Sequence, residues 1–583
     1  MLVVVGGRTQ LILDFPDAPD GPARRRVFTR PVEVLIARDA AGVRDVLERV
    51  DAACAGGRYA AGYLSYEAAP AFDRAFRVRP DARWPVAWFA IFDREEDDAE
   101  GAHTDASITE WKPATTRDAY DRAVTRIRAA IGAGDTYQVN YTIRLRGRAS
   151  GSARALYERL RAAQGAGYHA FLDLDNHQVV SASPELFFQR RGTRLTTRPM
   201  KGTWPRGRFP DEDEAARSAL AGSTKDRAEN LMIVDLLRND LGRIARTGTV
   251  HVPRLFDVER YRTLWQMTST IEAEAREGAT LFDLFAALFP CGSVTGAPKI
   301  STMRFIAELE DAPREVYCGA IGIVEPGGDC TFSVPIRTVL IDGSGCAEYG
   351  VGGGITWDST AEGEYDELLA KSVLLSEDWP AFSLIETMRA EDAVVHRLPL
   401  HVARLKRSAA YFGFAFDEAH VRDVIERALQ SHAQGTWRLR LEVNADGEAA
   451  AGFTPIEPLR ERPSVAFARR PVASTDRFLF HKTTHREVYE SRRAERLDVF
   501  DVLLRNERGE VTEFTRGNIV IERDDARWTT PVRCGLLAGT FRQQLLNDGV
   551  ARERVLYEAD VRAATRVWFV NGVREWLEVR LTG

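Results

Sequence analysis

The sequence predicts a mixed α/β (α+β) chain built from at least two bodies, and three observations carry that expectation. Its 583 residues exceed what one hydrophobic core organises. Segments of alternating strand character interleave with segments of helical period along most of the chain. After about residue 377 the pattern restarts with strand, turn, strand and helix, leaving roughly 200 residues, enough for an independent domain. The expected bodies are 1–376 and 377–583, joined by a short stretch of ordinary complexity that favours docked domains over a flexible string.

Composition narrows the function. The chain is 44% hydrophobic and 28% charged, as in ordinary soluble proteins. A net charge of −6, a pI near 6.0 and the lack of a basic run interleaved with aromatics argue against nucleic acid. No apolar stretch reaches membrane-span length and MLVVVGGRTQLILDF lacks an export leader, so no membrane association and a cytoplasmic location are expected. The six cysteines (54, 291, 318, 330, 346 and 534) form no C-x-x-C pair and are expected as free thiols in packed interior.

In chain order, VEVLIA predicts a strand and AGVRDVLERVDAACAGG a helix closing on glycines. Glu95 to Asp105 is an acidic surface loop. DAYDRAVTRIRAAIGAGDTYQVNYTIRLRG predicts an amphipathic helix, a turn and a strand. The stretch Ser181 to Leu241 concentrates the chemistry. Glu185 follows a proline and opens the apolar run Leu186, Phe187, Phe188, where desolvation raises a carboxyl pKa and suits it to donate a proton. Lys201 lies in the expected turn PMKGT. Only seven of the 79 basic residues are lysines, so arginine serves most solvated positive positions. The remaining lysines are enriched for roles a guanidinium cannot fill, such as a nucleophilic amine. An ion pair or a loop cap is the plainer alternative.

From Asp226 a helix is predicted, with Asp226 and Glu229 three apart on one side of its first turn. They suit either helix capping or oxygen ligation of magnesium. CGSVTGAPKIST puts Thr295, Gly296, Ala297 and Lys299 before a helix, either an anion cradle or a tight turn. Arg337 ends an expected strand. EYGVGGGITWDSTAEGEYDELLAK follows, in which Gly352, Gly353 and Gly354 permit close backbone approach and Glu364 and Glu367 repeat the paired acids at a helix start.

The blocks SPELF, PMKGT, KDRAENLMIVDLLRNDLGRI, VTGAPK, YCGAIG and GGGITWDSTAEGEYDE, between about 120 and 375, resemble the chorismate-utilising enzymes. That family includes anthranilate, isochorismate and aminodeoxychorismate synthases. The resemblance implies a large antiparallel β-sandwich core flanked by helices, with magnesium held by Glu229 and Glu367 and Glu364 alongside. It implies that Gly202, Thr203, Thr295, Tyr317, Arg337, Gly352, Gly353, Gly354 and Lys371 face the substrate, chorismate. Anthranilate synthases carry alanine where PMKGT has Lys201. The lysine therefore implies the aminodeoxychorismate chemistry: Lys201 attacks C2 while Glu185 protonates the departing C4 hydroxyl. Many relatives carry a histidine before the V-S or T-S pair, where this chain reads Trp265-Gln266-Met267-Thr268-Ser269, so a proton transfer assigned to that histidine has no counterpart here. No G-x-C-x-G glutaminase turn is present, so ammonia is expected from solution or from a separate glutamine amidotransferase subunit.

The second part has its own rare lysine, Lys482 in FLFHKTTHREVYE, after a short strand Val465 to Phe467. DVLLRNERGEVTEFTRGNIVIE predicts strands around a glycine turn, with Glu513 before Gly517-Asn518. PVRCGLLAGTFRQQLL places Gly539 and Thr540 at a helix start suited to phosphate. Each has a plain alternative: surface lysine, strand-end acid, ordinary cap. Together they resemble class IV aminotransferase-fold proteins, which implies a smaller PLP fold-type IV α/β domain and pyridoxal 5'-phosphate as cofactor. Lys482 is then the Schiff-base residue and Glu513 the pyridine-nitrogen partner. Arg404 and the Gly539, Thr540 and Phe541 backbone are phosphate contacts, although Phe541 and Val570-Asn571-Gly572 depart from the hydroxyl-bearing pattern of close relatives. A homodimer through this domain is the corresponding expectation. The fusion implies a two-step path from chorismate to 4-aminobenzoate. An anthranilate-type first domain and a cofactor-free docking module as second domain are the alternatives.

Overall fold

The computed structural model describes residues 9–98, 106–375, 379–459 and 462–582. Most of the expected acidic loop, at 99–105, and the expected domain boundary at 376–377 lie outside the described residues. The chain divides into two compact units, Met1–Pro205 with Arg217–Trp379, and Arg206–Ala216 with Pro380–Gly583.

The first unit contains a nine-stranded and a ten-stranded sheet. The large strand pairs of both are antiparallel, for example Cys346–Ile355 on Gln138–Gly151 and Leu264–Glu274 on His251–Arg260. One apolar cluster takes Leu11, Phe28 and Leu172 from one sheet and Tyr63, Trp88 and Ile321 from the other, which makes the pair a sandwich. A larger cluster joins sheet residues to helices such as Val43–Ala55, Arg117–Gly132 and Thr224–Gly242. Side chains like Leu237 and Phe332 in it are almost fully buried, each worth about 1.5–3 kcal/mol.

Local chemistry sets the elements that matter for function. Helix Thr224–Gly242 starts where the Ser223 hydroxyl accepts from the Asp226 N–H, and helix Ala361–Ser372 where the Thr360 hydroxyl accepts from the Gly363 N–H. Both caps aim an acidic first turn in the favourable sense of the helix dipole. Lys201 is not in a turn. It lies in strand Met200–Pro205, which pairs with Leu264–Glu274 through a register shift: Met200 faces Thr268 while Thr203 faces Gln266. The extra residue is a bulge, and Gly202 supports it with φ 97°. Arg337 likewise lies outside a strand, at φ 53° before strand Thr338–Asp342.

The second unit holds a four-stranded sheet with helices Leu398–Phe412 and Glu418–Gln430, and an eight-stranded sheet. In the latter Ser464–Phe467 runs parallel to Asp501–Arg505 and to Glu575–Leu581. That Arg206–Ala216 belongs to this unit is not foreseeable from its residues. Phe209 stacks on Phe480 with centroids 5.1 Å apart. Arg206 pairs with Asp213 at 2.6 Å and donates to the Tyr411 carbonyl. Among the described residues no helix is long and apolar enough to cross a membrane. All six cysteines are free, and all but the partly exposed Cys346 are buried.

Candidate active sites

A cavity of about 170 Å³ in the first unit brings together Glu185, Lys201, Gly202, Thr203, Asp226, Glu229, Tyr317, Arg337, Gly352, Gly353, Gly354, Glu364, Glu367 and Lys371. Thr295 is not on its wall. Its hydroxyl is buried and donates to the Cys291 carbonyl, and Lys299 is paired with Asp240 at 2.9 Å. That loop therefore closes on itself and is not an anion cradle. Its contribution to the cavity comes from Ser293 and Val294 instead.

Glu185 is 2% exposed, and burial pushes its carboxyl up to about 7. The Ser293 hydroxyl donates to Glu185 Oε1 at 2.6 Å and works in the opposite direction. Lys201 Nζ stands 3.4 Å from Glu229 Oε2. Its backbone is held from two sides, by the Asn230 amide on the Lys201 carbonyl and the Gln266 amide on the Gly202 carbonyl at 2.8 Å. Thr203 donates to Gln266 Oε1 at 2.9 Å, so Gln266 grips the bulge. A methyl at position 354 would lie 2.5 Å from Lys201 Nζ and 2.6 Å from Gln138 Nε2. Glycine there makes room for the nucleophile candidate.

Gln138 is not among the residues the sequence singles out. It is fully buried, and among the described residues neither atom of its amide finds a hydrogen-bond partner. Buried amides are seldom left so unless a ligand completes them. In the sequence it is one more inward residue of an alternating strand, and only Gly354 and Lys201, distant in the chain, give it significance.

The acids divide by environment. Lys371 bonds to Glu367 at 2.7 Å and holds its carboxyl below the usual range, while donating to the Gly352 carbonyl. Burial raises Glu364, aided by the charge of Glu367 and opposed by the Ser359 hydroxyl at 2.6 Å. Among the described residues no three acids, histidines or cysteines form a ready-made metal cluster. Magnesium generally takes one or two protein carboxylates plus substrate oxygens, and the carboxylates of Glu229, Glu364 and Glu367, which line one cavity from two helices, fit that donor set. Tyr317 is buried, with its hydroxyl held well above its ordinary pKa by desolvation. The Arg337 guanidinium, on the cavity wall, donates to Gln164.

In the second unit Lys482 Nζ has no hydrogen-bond or ion-pair partner among the described residues. Burial, reinforced by the charges of Arg486 and Arg404, pulls its amine down to about 7. Burial raises Glu513 to about 7 as well. Its oxygens receive the Tyr489 hydroxyl at 2.8 Å, the Asn518 amide at 3.1 Å and the Leu537 N–H at 3.1 Å. Helix Thr540–Asn547 starts at Gly539 without a side-chain cap, leaving its first amides for a ligand. Arg404 reaches this helix start through the Ala538 carbonyl, yet Glu386 clamps it at 2.8 and 2.6 Å. Glu386 also receives His401, whose other ring nitrogen meets Thr540 Oγ1 at 3.1 Å. Phe541 packs its ring against Trp576, so only its backbone faces the helix start. A free low-pKa amine, an oriented acid and uncapped amides are the donor set pyridoxal phosphate needs.

Comparison with known proteins agrees with this division. Residues 17–376 match the model of the chorismate binding enzymes, and residues 383–582 that of the class IV amino-transferases, a fold that implies pyridoxal phosphate. The chain is 42% identical over 261 residues to aminodeoxychorismate synthase component 1 of Salmonella typhimurium, covering 45% of this chain and 57% of that relative's length. It is 40% identical over 258 residues to an anthranilate synthase component 1 of Haloarcula marismortui, covering 44% and 52%. The chain thus spans little more than half the length of these relatives. The crystal structure of anthranilate synthase component I from Streptococcus pneumoniae matches 64% of this chain and 94% of its own at 24% identity, with a TM-score of 0.52, which shows a shared fold. With its antiparallel sandwich, its cavity of paired acids and a family match over most of its length, the chain belongs to the chorismate binding enzymes and carries a class IV amino-transferase domain behind that fold.

Proposed function

We propose that the chain makes 4-aminobenzoate in two steps. The first unit converts chorismate and ammonia to 4-amino-4-deoxychorismate, and the second eliminates pyruvate from that product. The observation that carries the first step is Lys201 in one cavity with Glu185 and with Glu229, Glu364 and Glu367. The aminodeoxychorismate and anthranilate relatives are nearly equal in identity, so overall similarity does not separate them. An amine at 201, where anthranilate synthases carry alanine, favours the former.

In this reading the Lys201 amine bonds to C2 as the C4 hydroxyl leaves, taking the Glu185 proton and departing as water. A carboxyl near 7 is still partly protonated at neutral pH, which suits that task. Ammonia then adds at C4, the C2–Nζ bond breaks, and Glu185 recovers a proton from the new amine. Magnesium held by Glu229 and Glu367, with Glu364 alongside, would neutralise the ring carboxylate. Tyr317, Arg337 and the Gly202-Thr203 backbone face the substrate carboxylates.

In the second unit Lys482 would hold pyridoxal phosphate, which would supply an electron sink. Glu513, held in place by Tyr489 and Asn518, would pair with its ring nitrogen, and the Thr540 helix start would hold its phosphate. The Lys482 amine would move protons within the pocket. Ammonia comes from a glutamine amidotransferase subunit, as the name component 1 of the relatives suggests. The enzyme works in the cytoplasm, as a homodimer through the second unit.

Incubation with chorismate, magnesium and ammonium, followed by product identification, tests the whole reading. 4-Aminobenzoate is expected, and anthranilate would refute it. Lys201→Ala is expected to abolish aminodeoxychorismate formation. Lys482→Ala is expected to abolish the absorbance of lysine-bound cofactor, and its persistence would leave the second unit's assignment without support.

A further inference from the structure

Four residues after Lys482 lies Arg486, a half-buried side chain at the start of helix Glu487–Arg493. Its guanidinium spends one donor on the Thr515 carbonyl at 2.6 Å and lies over the Tyr489 ring at 4.6 Å. Tyr489 is the residue whose hydroxyl holds Glu513. Arg486 thus adjoins the tyrosine that holds Glu513, and its charge acts on both Lys482 and Glu513. Among the described residues no carboxylate comes within ion-pairing distance of it. Arg404, in the same unit, is clamped by Glu386, and the buried Arg542 is paired with Glu553.

A partly desolvated guanidinium with one neutral acceptor is costly unless an anion completes it, and its planar fork matches a carboxylate. We propose that Arg486 anchors a carboxylate of the substrate in the second unit, making that site selective for an amine whose carbon skeleton bears a carboxylate. This rests on the reading of Lys482 as the cofactor-bearing residue. It extends that reading from the cofactor to the substrate. The expected product of the first unit is an amine with two carboxylates, so the charge at 486 matches what the chain itself supplies.

The test uses the full chain loaded with pyridoxal phosphate. Benzoate, a carboxylate without an amine, is expected to perturb the absorbance of the lysine-bound cofactor saturably, whereas neutral benzamide is not. Arg486→Gln is expected to remove the benzoate response and to raise KM for 4-amino-4-deoxychorismate at least tenfold, with a much smaller change in kcat. Arg486→Lys is expected to restore part of both. Aminodeoxychorismate formation by the first unit stays unchanged in both variants. Equal benzoate binding and equal KM in wild type and Arg486→Gln would overturn the proposal alone. A wild-type chain with no lysine-bound cofactor would overturn the underlying reading and the proposal with it.

Discussion

Replacing Ser293 by alanine is expected to move the alkaline limb of the first reaction upward in pH. Glu185 accepts one short bond from the Ser293 hydroxyl, 2.6 Å to Oε1, and this bond favours the ionised carboxylate. Burial pushes the other way and wins, placing the group at about 7. A hydrogen bond to a charged group is worth about 1.5–3 kcal/mol, equivalent to about 1–2 pH units at ~1.36 kcal/mol per unit. Because the acid must be protonated when the C4 hydroxyl departs, activity falls as pH rises through its pKa. Without the serine, that fall is expected about one unit higher, near 8. The assay is kcat/KM for aminodeoxychorismate formation from pH 6 to 9.5, with free ammonia held constant and the cavity otherwise unaltered. A limb that stays in place, or that moves to lower pH, would show that Glu185 is not the proton donor or that Ser293 does not govern it.

Other consequences follow from neighbouring groups. Glu185→Gln should remove activity yet stabilise the fold. A carboxyl raised from 4.5 to about 7 contributes stability that is present below 4.5 and lost as pH rises through 7. The variant should therefore gain up to about 3 kcal/mol over wild type above pH 7 and little below pH 4.5, as read from denaturant unfolding followed in the first unit. Gly354→Ala puts a methyl 2.5 Å from Lys201 Nζ, and a nucleophile displaced by about 1 Å is expected to lose on the order of 10²-fold in kcat with the fold intact by circular dichroism. Gln138→Met replaces two unpartnered buried amide atoms; stability should hold or rise by about 1 kcal/mol while aminodeoxychorismate formation drops, and unchanged turnover would exclude Gln138 from the site. Phe209→Ala removes the ring stacked on Phe480 and should destabilise the second unit by about 2–4 kcal/mol, seen as weakened retention of lysine-bound cofactor.

Local signals were sufficient where the chemistry is carried by short segments. Ser223 and Thr360 cap helices that begin where the sequence places them. Asp226 with Glu229, and Glu364 with Glu367, stand near those helix starts on one side because a three-residue spacing is brought into line by the helix itself. The scarcity of lysine draws attention to all seven lysines, local motifs narrow them to Lys201 and Lys482, and a proline followed by an apolar run marks Glu185 as buried. Long-range pairing decided the rest. PMKGT reads as a turn by composition, but strand Leu264–Glu274 captures it and converts the glycine into a bulge. The glycine loop before Lys299 looks like an anion cradle until Asp240, nearly sixty residues away, takes the lysine's charge. Gln138, Ser293 and Gln266 acquire meaning only through strands that bring them beside Lys201 and Glu185. Arg206–Ala216 joins the second unit because its arginine and phenylalanine find partners there, in Tyr411 and Phe480. Residue type and helical spacing state which groups are available for chemistry. Which of them meet, and which are neutralised by a distant partner, is settled by non-local sheet register and side-chain pairing, quantities no short stretch of sequence encodes.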